Sequence, residues 1–457
     1  MEQSSQTRRK PVVTNAVLLL GSLAILVLVG ADSSNLRPTL PPDGEDRHLG
    51  VRECAGGPCH GSATPVGDRV KENEHTIWLR KDPHAKAYKT LLTQASLDIA
   101  RNYGLEKPPS QEETCLGCHS NNPRNRGAEF TVEDGVGCEA CHGGAERWLK
   151  THPSSTRKHQ DNVDAGMFPA DRAIARAELC ISCHFGTADR FVSHRMLGAG
   201  HPRLRFELDS YQVDQPAHYT YDADYTARGK ESPEPLRLWA VGQAILVREL
   251  LEAIGDPKRN KDGIWPEFAV LDCYTCHHSM EDKRRPQLRW RGLGTSPGTP
   301  RMNDAAFLML RHILVAVDPR AADMLRDGTR DLHIAISASR GDRAELARKL
   351  VAVIDSTLPR LQDWKITPRG ITTIALSLID EGVNDGYRDY PSAEQAASAI
   401  QSLADTRNRL EPFSPKQLDQ LNERIKALLD ATKDGDVFNT RQQRFVDALR
   451  EVRNLLG

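Results

Sequence analysis

Cys138-Glu139-Ala140-Cys141-His142 is the stretch around which the rest of the chain is organised, because its spacing recurs. Three further copies begin at Cys115, Cys180 and Cys273, and each ends on a histidine directly after its second cysteine. A wider fifth copy pairs Cys54 with Cys59 and again places a histidine, residue 60, directly after the second cysteine. The spacing Cys-x-x-Cys-His is the attachment signature for c-type haem.

The chemistry of haem attachment explains the order of these residues. Two thiols add to the vinyl groups of one haem, and the next residue places an imidazole against the iron. Zinc ribbons and short-range disulfides also use paired cysteines, but neither requires a histidine after all five pairs. We therefore expect about five covalently bound haem c groups. Attachment is assigned to Cys54, Cys59, Cys115, Cys118, Cys138, Cys141, Cys180, Cys183, Cys273 and Cys276, and proximal ligation to His60, His119, His142, His184 and His277.

Other histidines are candidates for the distal side of the irons. His84 follows Asp82 and Pro83, which favour the first turn of a helix and would fix the imidazole in place. His152 follows a helical turn at 145–150, and glycines near His194 and His201 let backbone approach a flat porphyrin. His278 directly follows a proximal histidine and can point towards a neighbouring iron. The distal candidates are therefore His84, His152, His194, His201 and His278.

The remaining histidines are expected to have other roles. His48, His159 and His218 lie in polar segments, where a histidine is usually at the surface. For His75 the sequence leaves the choice between ligand and surface open. His312 and His333 lie in helical segments and are expected in the core or on the surface of those helices.

The amino terminus has the pattern of an export segment. Basic residues at 8–10 precede an apolar run at 12–30, which is close to the roughly 20 residues that span a bilayer. Residues 1–31 are therefore expected to be a signal peptide or a membrane anchor, and the sequence leaves both open. A proline-rich tether follows at 32–50. We expect a periplasmic protein, exported by the general secretory route, that is either soluble or anchored to the inner membrane.

Charge and helical pattern limit the fold class. The net charge of −1 argues against a nucleic-acid partner, which would require a basic surface. Helical patterns are predicted at 236–254 and, beyond residue 300, at 305–317, 321–339, 344–358, 371–381, 393–405, 415–432 and 441–456. Capping-box spacings at Ser392, Ser414 and Thr440 predict three of the helix starts. The expected fold is mainly α: a multihaem cytochrome c domain at 51–290 with little regular sheet, followed by an α-helical bundle at 300–457.

Three segments resemble a known family. Asp82-Pro-His-Ala-Lys-Ala-Tyr88, Cys115-Leu-Gly-Cys-His-Ser120 and Gly135-Val-Gly-Cys-Glu-Ala-Cys-His-Gly-Gly-Ala-Glu146 are similar to the multihaem cytochrome c family typified by tetrahaem cytochrome c-554. The resemblance covers roughly residues 50–205. It implies closely stacked, mostly bis-histidine haems that pass electrons in nitrogen or respiratory redox metabolism. The implied partners are redox proteins, either other cytochromes or quinol-linked membrane complexes. The chain departs from the family in its five sites, in the wide first site and in its long carboxyl-terminal region.

Two functions remain possible, electron transfer and catalysis at a haem. A purely structural or metal-storage role is disfavoured, because a histidine follows every cysteine pair. In an electron-transfer cytochrome every iron is saturated by two side chains, whereas an oxidoreductase acting on nitrite or hydroxylamine needs one five-coordinate iron. Eleven of the sixteen histidines are not proximal, which is enough to saturate five irons. The lysine-ligated motif of pentahaem nitrite reductases does not occur in the sequence. These observations favour electron transfer and leave the enzyme alternative open.

The motif count predicts that the mature protein carries the mass of five haems and has no titratable thiol after denaturation. Mass spectrometry of the denatured protein measures both. Replacing Cys54 and Cys59 together by alanine should remove one haem mass. A native protein with four haems and a free or disulfide-linked Cys54–Cys59 pair would show that the wide motif is not an attachment site.

Overall fold

The computed structural model describes residues 37–66, 71–262, 265–277, 295–296, 299–338, 342–384, 386–387 and 389–456. Residues 37–457 form one compact unit. The fold is mainly α, as predicted, and the sheet in the described residues is a two-stranded antiparallel pair, β1 (Lys261–Asp262) and β2 (Trp265–Pro266). Within these residues no helix has both the length and the apolar character needed to cross a bilayer. The predicted export segment lies outside the described residues.

Short helices joined by glycine- and proline-rich turns build the amino-terminal half. Three of the cysteine pairs, which begin at Cys115, Cys138 and Cys180, lie within α-helices that end at the histidine of the motif. Six 3₁₀ turns occur at Pro41–Asp43, Pro83–Lys86, Pro109–Gln111, Val132–Asp134, Phe268–Val270 and Cys273–Thr275. The α-helices are α1 (Val51–Cys54), α2 (Glu74–Lys81), α3 (Ala87–Thr90), α4 (Gln94–Tyr103), α5 (Glu113–His119), α6 (Cys138–His142), α7 (His159–Asp164), α8 (Ala173–His184), α9 (His194–Gly198), α10 (Leu208–Asp214) and α11 (Ala223–Ala227).

Long amphipathic helices build the carboxyl-terminal half. The predicted helix at 305–317 has the predicted bounds, and most others extend a few residues further at one or both ends. The helices are α12 (Pro235–Gly255), α13 (Ala305–Val317), α14 (Pro319–Ala338), α15 (Arg343–Gln362), α16 (Pro368–Val383), α17 (Tyr390–Leu410), α18 (Pro415–Ala431) and α19 (Gly435–Leu456).

The predicted capping boxes have different outcomes. The Ser414 box is present, with reciprocal bonds between Ser414 and Gln417. Helix α17 instead begins earlier than predicted, because Asp389 accepts the backbone N–H of Ser392 at 2.8 Å and caps the helix. The start predicted at Thr440 lies within α19, beside a kink at Arg441.

Helix α12 is the central element of the apolar core. Trp239, Ile245 and Leu251 are almost completely buried, and the continuous core around them extends from α8 to α19. The core of the carboxyl-terminal bundle therefore includes a helix that precedes the predicted boundary near residue 300. The division into domains at 51–290 and 300–457 stays a prediction, and the packing of α12 indicates that the bundle needs this helix to close its core.

A buried ion cluster joins α12 to its neighbours. The fully buried Arg248 pairs with Glu178 of α8 and lies 3.6 Å from the carboxylate of Asp355 in α15. Burial raises the pKa of the adjacent Glu249 to about 7. Breaking such a buried pair by removing one partner typically costs about 3–5 kcal/mol, because the other charge is left unpaired. Helix α8, which carries the fourth cysteine pair, is thereby held on the bundle.

Truncation of the α12 core should destabilise the protein. Leu251→Ala removes a completely buried side chain and is expected to lower the free energy of unfolding by about 2–5 kcal/mol. Leu92→Ala, at a leucine that is 58% exposed, is the matched control and should change it by less than about 0.5 kcal/mol. Chemical denaturation followed by circular dichroism measures both changes. Equal effects of the two substitutions would contradict the role of α12 as the core helix.

Candidate haem site

One large cavity runs through the amino-terminal half. Its volume is about 1620 Å³, above the roughly 300–1,000 Å³ that is usual for a single small-molecule site. The five cysteine pairs are numbered here in chain order as sites 1 to 5. The cavity wall includes both cysteines and the following histidine of sites 1 to 4. Site 5 lies outside this cavity, with Cys273, Cys276 and His277 exposed.

Each predicted proximal histidine faces a second histidine across a gap of nearly constant width. A metal–imidazole bond is about 2 Å long, so two rings on opposite sides of one metal have centres about 6 Å apart. All five observed separations match that value. The ring centroids are 6.1 Å apart for His60 and His152, 6.1 Å for His184 and His84, 6.4 Å for His119 and His201, 6.2 Å for His142 and His218, and 6.4 Å for His277 and His194.

The protonation states and charges of the cavity wall are also suited to haem. Burial lowers the pKa of His142 to about 3 and that of His184 to about 4, so both imidazoles are held neutral, the form that binds a metal. Haem carries two propionates, and cationic side chains on the cavity wall could pair with them. These side chains are Lys71, Lys150, Arg176, Arg228 and Lys230.

Local backbone structure fixes the opposing histidines. His84 lies in a 3₁₀ turn capped by Asp82, whose carboxylate accepts the His84 N–H at 2.9 Å. The segment that leads into site 3 packs on this turn, and Val136 donates to the His84 carbonyl at 3.1 Å. Gly135, at φ +74°, permits this approach, because a Cβ there would lie 2.8 Å from the same carbonyl oxygen. The position of His84 is therefore set by site 3, although the histidine faces site 4.

Two of the opposed pairs also contact a carboxylate. His60 Nδ1 lies 2.9 Å from Glu74, and His84 Nδ1 lies 2.8 Å from Asp82. Hydrogen bonds to Asp82 and Glu74 raise the pKa of His84 and His60. Burial by itself would raise the pKa of both carboxyls, but the hydrogen bonds from the histidines, backbone hydrogen bonds and nearby charges together outweigh it and lower the pKa.

Hydrogen bonds show which sites are neighbours. Glu139, within the motif of site 3, accepts the backbone N–H of Gly50, directly before α1 of site 1, at 2.8 Å. Val136, which leads into site 3, donates to the carbonyl of His84, which faces site 4. Cys183 of site 4 lies against site 2, with its sulfur 3.8 Å from the Gly117 carbonyl oxygen. The order of adjacent sites is thus 1, 3, 4, 2.

Site 5 extends this order beyond site 2. Helix α9 begins with His194, which faces site 5, and His201, which faces site 2, follows shortly after the end of α9. The same helix packs on α4, since Arg195 donates to the Tyr103 carbonyl at 2.8 Å. Tyr103 lines the shared cavity. The complete order of neighbouring sites is therefore 1, 3, 4, 2, 5.

The structure brings most of the predicted distal histidines to a proximal one. His84, His152, His194 and His201 each face a histidine of a remote motif, and their role as ligands stays a prediction. His278 lies outside the described residues. The surface position predicted for His218 is wrong, because this residue is half-buried and faces His142. The loop that contains His218 has neither a helical nor a strand pattern of apolar residues. The sequence therefore indicated only that site 3 needed a histidine from elsewhere in the chain.

The surface predictions for two further histidines are also wrong. His48 is completely buried, and both of its ring nitrogens are hydrogen-bonded, to the Pro41 carbonyl and to the side chain of Asn121, at 3.0 Å each. His159 is buried and pairs with Asp171 at 2.8 Å. Long-range contacts bury both residues, and a polar local sequence does not reveal such contacts.

Three histidines have contacts unrelated to the opposed pairs. His75 lines the shared cavity and packs on Trp78. His312 is bonded to Ser377 at 2.8 Å, and His333 to Asp304 at 3.2 Å, inside the bundle. The core position that was one of the two alternatives for His312 and His333 is therefore observed.

Comparison with known proteins gives one match. Residues 54–143 match the family model described as cytochrome c554 and c-prime. This segment contains sites 1 to 3, and the turn with His84 lies within it. Neither a curated protein nor a solved structure matches the chain significantly.

The opposed pairs predict the effect of removing a distal histidine. His218→Ala should convert one low-spin iron to a high-spin iron and leave the haem content unchanged, since the thioether bonds remain. His75→Ala is the matched control, because His75 lines the same cavity without facing a proximal histidine, and it should leave the spin state unchanged. Electron paramagnetic resonance of the oxidised protein distinguishes the two. An unchanged spectrum for His218→Ala would remove this residue from the ligand set.

Proposed function

We propose that the chain is a pentahaem electron-transfer cytochrome with bis-histidine ligation at every site, and the match of residues 54–143 to the cytochrome c554 and c-prime model supports this proposal. The observation that carries this proposal is the set of five opposed histidine pairs at 6.1–6.4 Å. When bound, each haem supplies a one-electron iron couple. The protein supplies the spacing of the sites, the axial imidazoles and the charges around them.

The number of axial ligands on each iron distinguishes an electron-transfer protein from an enzyme. An oxidoreductase that acts on nitrite or hydroxylamine needs an open face on one iron. In the described residues every proximal histidine has an imidazole opposite it, so no site is left with an evident open face. This arrangement supports electron transfer as the primary function.

The order of neighbouring sites defines the two ends of the proposed electron-transfer route. Sites 1 and 5 are the two ends of the order 1, 3, 4, 2, 5. Cys59 of site 1 and Cys273 and Cys276 of site 5 are exposed, whereas the cysteines of sites 2 to 4 are partly covered. Electrons are therefore proposed to enter at one of these ends and to leave at the other.

The cellular setting is also part of the proposal. The basic and apolar amino-terminal pattern supports an exported, periplasmic protein, which is soluble or held at the inner membrane. The proposed partners are other cytochromes or quinol-linked membrane complexes that function in nitrogen or respiratory redox metabolism.

Ligand binding to the reduced protein tests the proposal. With all irons saturated, carbon monoxide should cause no change in the absorption spectrum, and the oxidised protein should have only low-spin iron. His218→Ala is the positive control, since it should open one site and bind carbon monoxide there. Carbon monoxide binding by the native protein would instead favour the oxidoreductase alternative, and the opened site could then be assayed with nitrite and hydroxylamine.

A further inference from the structure

Glu74 and Asp82 hold the axial histidines of two sites by a charged hydrogen bond. Glu74 bonds to His60 of site 1, and Asp82 bonds to His84, which faces site 4. The Asp82 side chain is only 4% exposed and that of Glu74 is 20% exposed. Both carboxylates are therefore shielded from water, where a hydrogen bond to an imidazole has a larger effect than at the surface.

Neutral groups fill the corresponding positions at site 2, and site 3 has no hydrogen-bonded carboxylate in the described residues. His119 Nδ1 lies 3.2 Å from the Ala87 carbonyl and 2.9 Å from the Thr90 hydroxyl, and His201 Nδ1 lies 2.8 Å from the Pro202 carbonyl. At site 3, no carboxylate of the described residues is hydrogen-bonded or ion-paired to His142 or His218; Asp82 and Glu74 act on His218 only through space. Across the described residues, the ion pairs that join a carboxylate to one of the opposed histidines are those at His60 and His84.

Local folding alone does not explain these charges. Asp82 also caps the turn at His84, but asparagine and serine cap a turn about as well. A buried carboxylate costs desolvation free energy that a neutral cap avoids. The charge therefore points to a role at the imidazole.

A carboxylate at Nδ1 changes the chemistry of the other ring nitrogen. It makes the imidazole a stronger electron donor to a metal, and its negative charge stabilises the more positive metal. Both effects favour ferric over ferrous iron. Second-shell hydrogen bonding of this kind is one of the ways in which a protein sets the potential of a haem.

We propose that Glu74 and Asp82 are positioning residues that lower the reduction potentials of sites 1 and 4 relative to sites 3 and 2. This inference rests on the proposed bis-histidine function. In the order of neighbouring sites, low and high potentials then alternate: site 1 low, site 3 high, site 4 low and site 2 high. An electron on this route therefore meets two raised steps, at sites 1 and 4, instead of a steady descent.

Isosteric amides test the inference in the full-length protein with its haems. Asp82→Asn and Glu74→Gln each keep a hydrogen-bond acceptor and remove the charge. In a spectroelectrochemical titration, each variant should move the transition of the site whose histidine it contacts to higher potential, and by more than any other transition. At fixed potential the reduced-to-oxidised ratio of that haem should rise about tenfold, which is about 59 mV for a one-electron couple. The double variant should move two transitions additively, because site 3 separates sites 1 and 4.

Asp214→Asn is the matched control for charge alone. Asp214 lines the same cavity, and its side chain is exposed. In this variant the reduced-to-oxidised ratio of each haem at fixed potential should change by much less than tenfold. Shifts in Asp82→Asn and Glu74→Gln no larger than those in Asp214→Asn would overturn the inference, as would shifts to lower potential.

The spin state separates failure of the inference from failure of the proposed function. Five low-spin haems in the native protein with unshifted potentials in both variants would refute only the role of Glu74 and Asp82. High-spin iron or fewer than five haems in the native protein would refute the proposed function itself. High-spin iron that arises only in the variants would show that the carboxylates are required for ligation, and this too would overturn a role in setting the potential.

Discussion

The opposition of two imidazoles across a gap of 6.1–6.4 Å is the constraint on which the amino-terminal half depends. Each pair joins a histidine fixed by a cysteine motif to one that is distant in sequence. His60 is matched by a residue 92 positions later, and His184 by one 100 positions earlier. On the proposed function, such pairs act as long-range cross-links once a haem iron lies between them. They explain how short helices, few of them with much apolar surface, are held around a cavity of about 1620 Å³.

The carboxyl-terminal half is stabilised differently. Its helices bury a continuous apolar core of side chains, with α12 at the centre. The two halves meet at α8, which carries site 4 and is fixed to α12 by the Arg248 and Glu178 pair. The apolar side-chain core thus supports the cavity-containing half at site 4, the middle of the order 1, 3, 4, 2, 5.

Sequence reasoning was sufficient for features encoded locally. The long helices, the capping box at Ser414 and the five motifs follow from spacing alone, and the family match at 54–143 agrees with the resemblance drawn from the same motifs. Which histidine faces which motif is not encoded locally, because it depends on how several turns pack together. Polar composition was misleading at His48, His159 and His218, since hydrogen bonds or an opposing ring from remote segments bury them. His218 in particular lies in a segment without periodicity, so no local pattern marked it.

Site 5, like site 4, is supported by the helical bundle. The backbone N–H of Asp272, directly before Cys273, donates to the Arg301 carbonyl at 2.7 Å. Arg301 is buried, pairs with Asp304 at 2.9 Å and also pairs with Asp389, the cap of α17. Site 5 is therefore built on the helical bundle, while its facing residue His194 is supplied by α9 from the cavity side. The family match ends at residue 143, so sites 4 and 5 and the bundle all lie outside it, and of these two sites only site 4 lines the shared cavity. On the proposed function, site 5 extends the route from site 2 to an exposed end, because its cysteines are exposed.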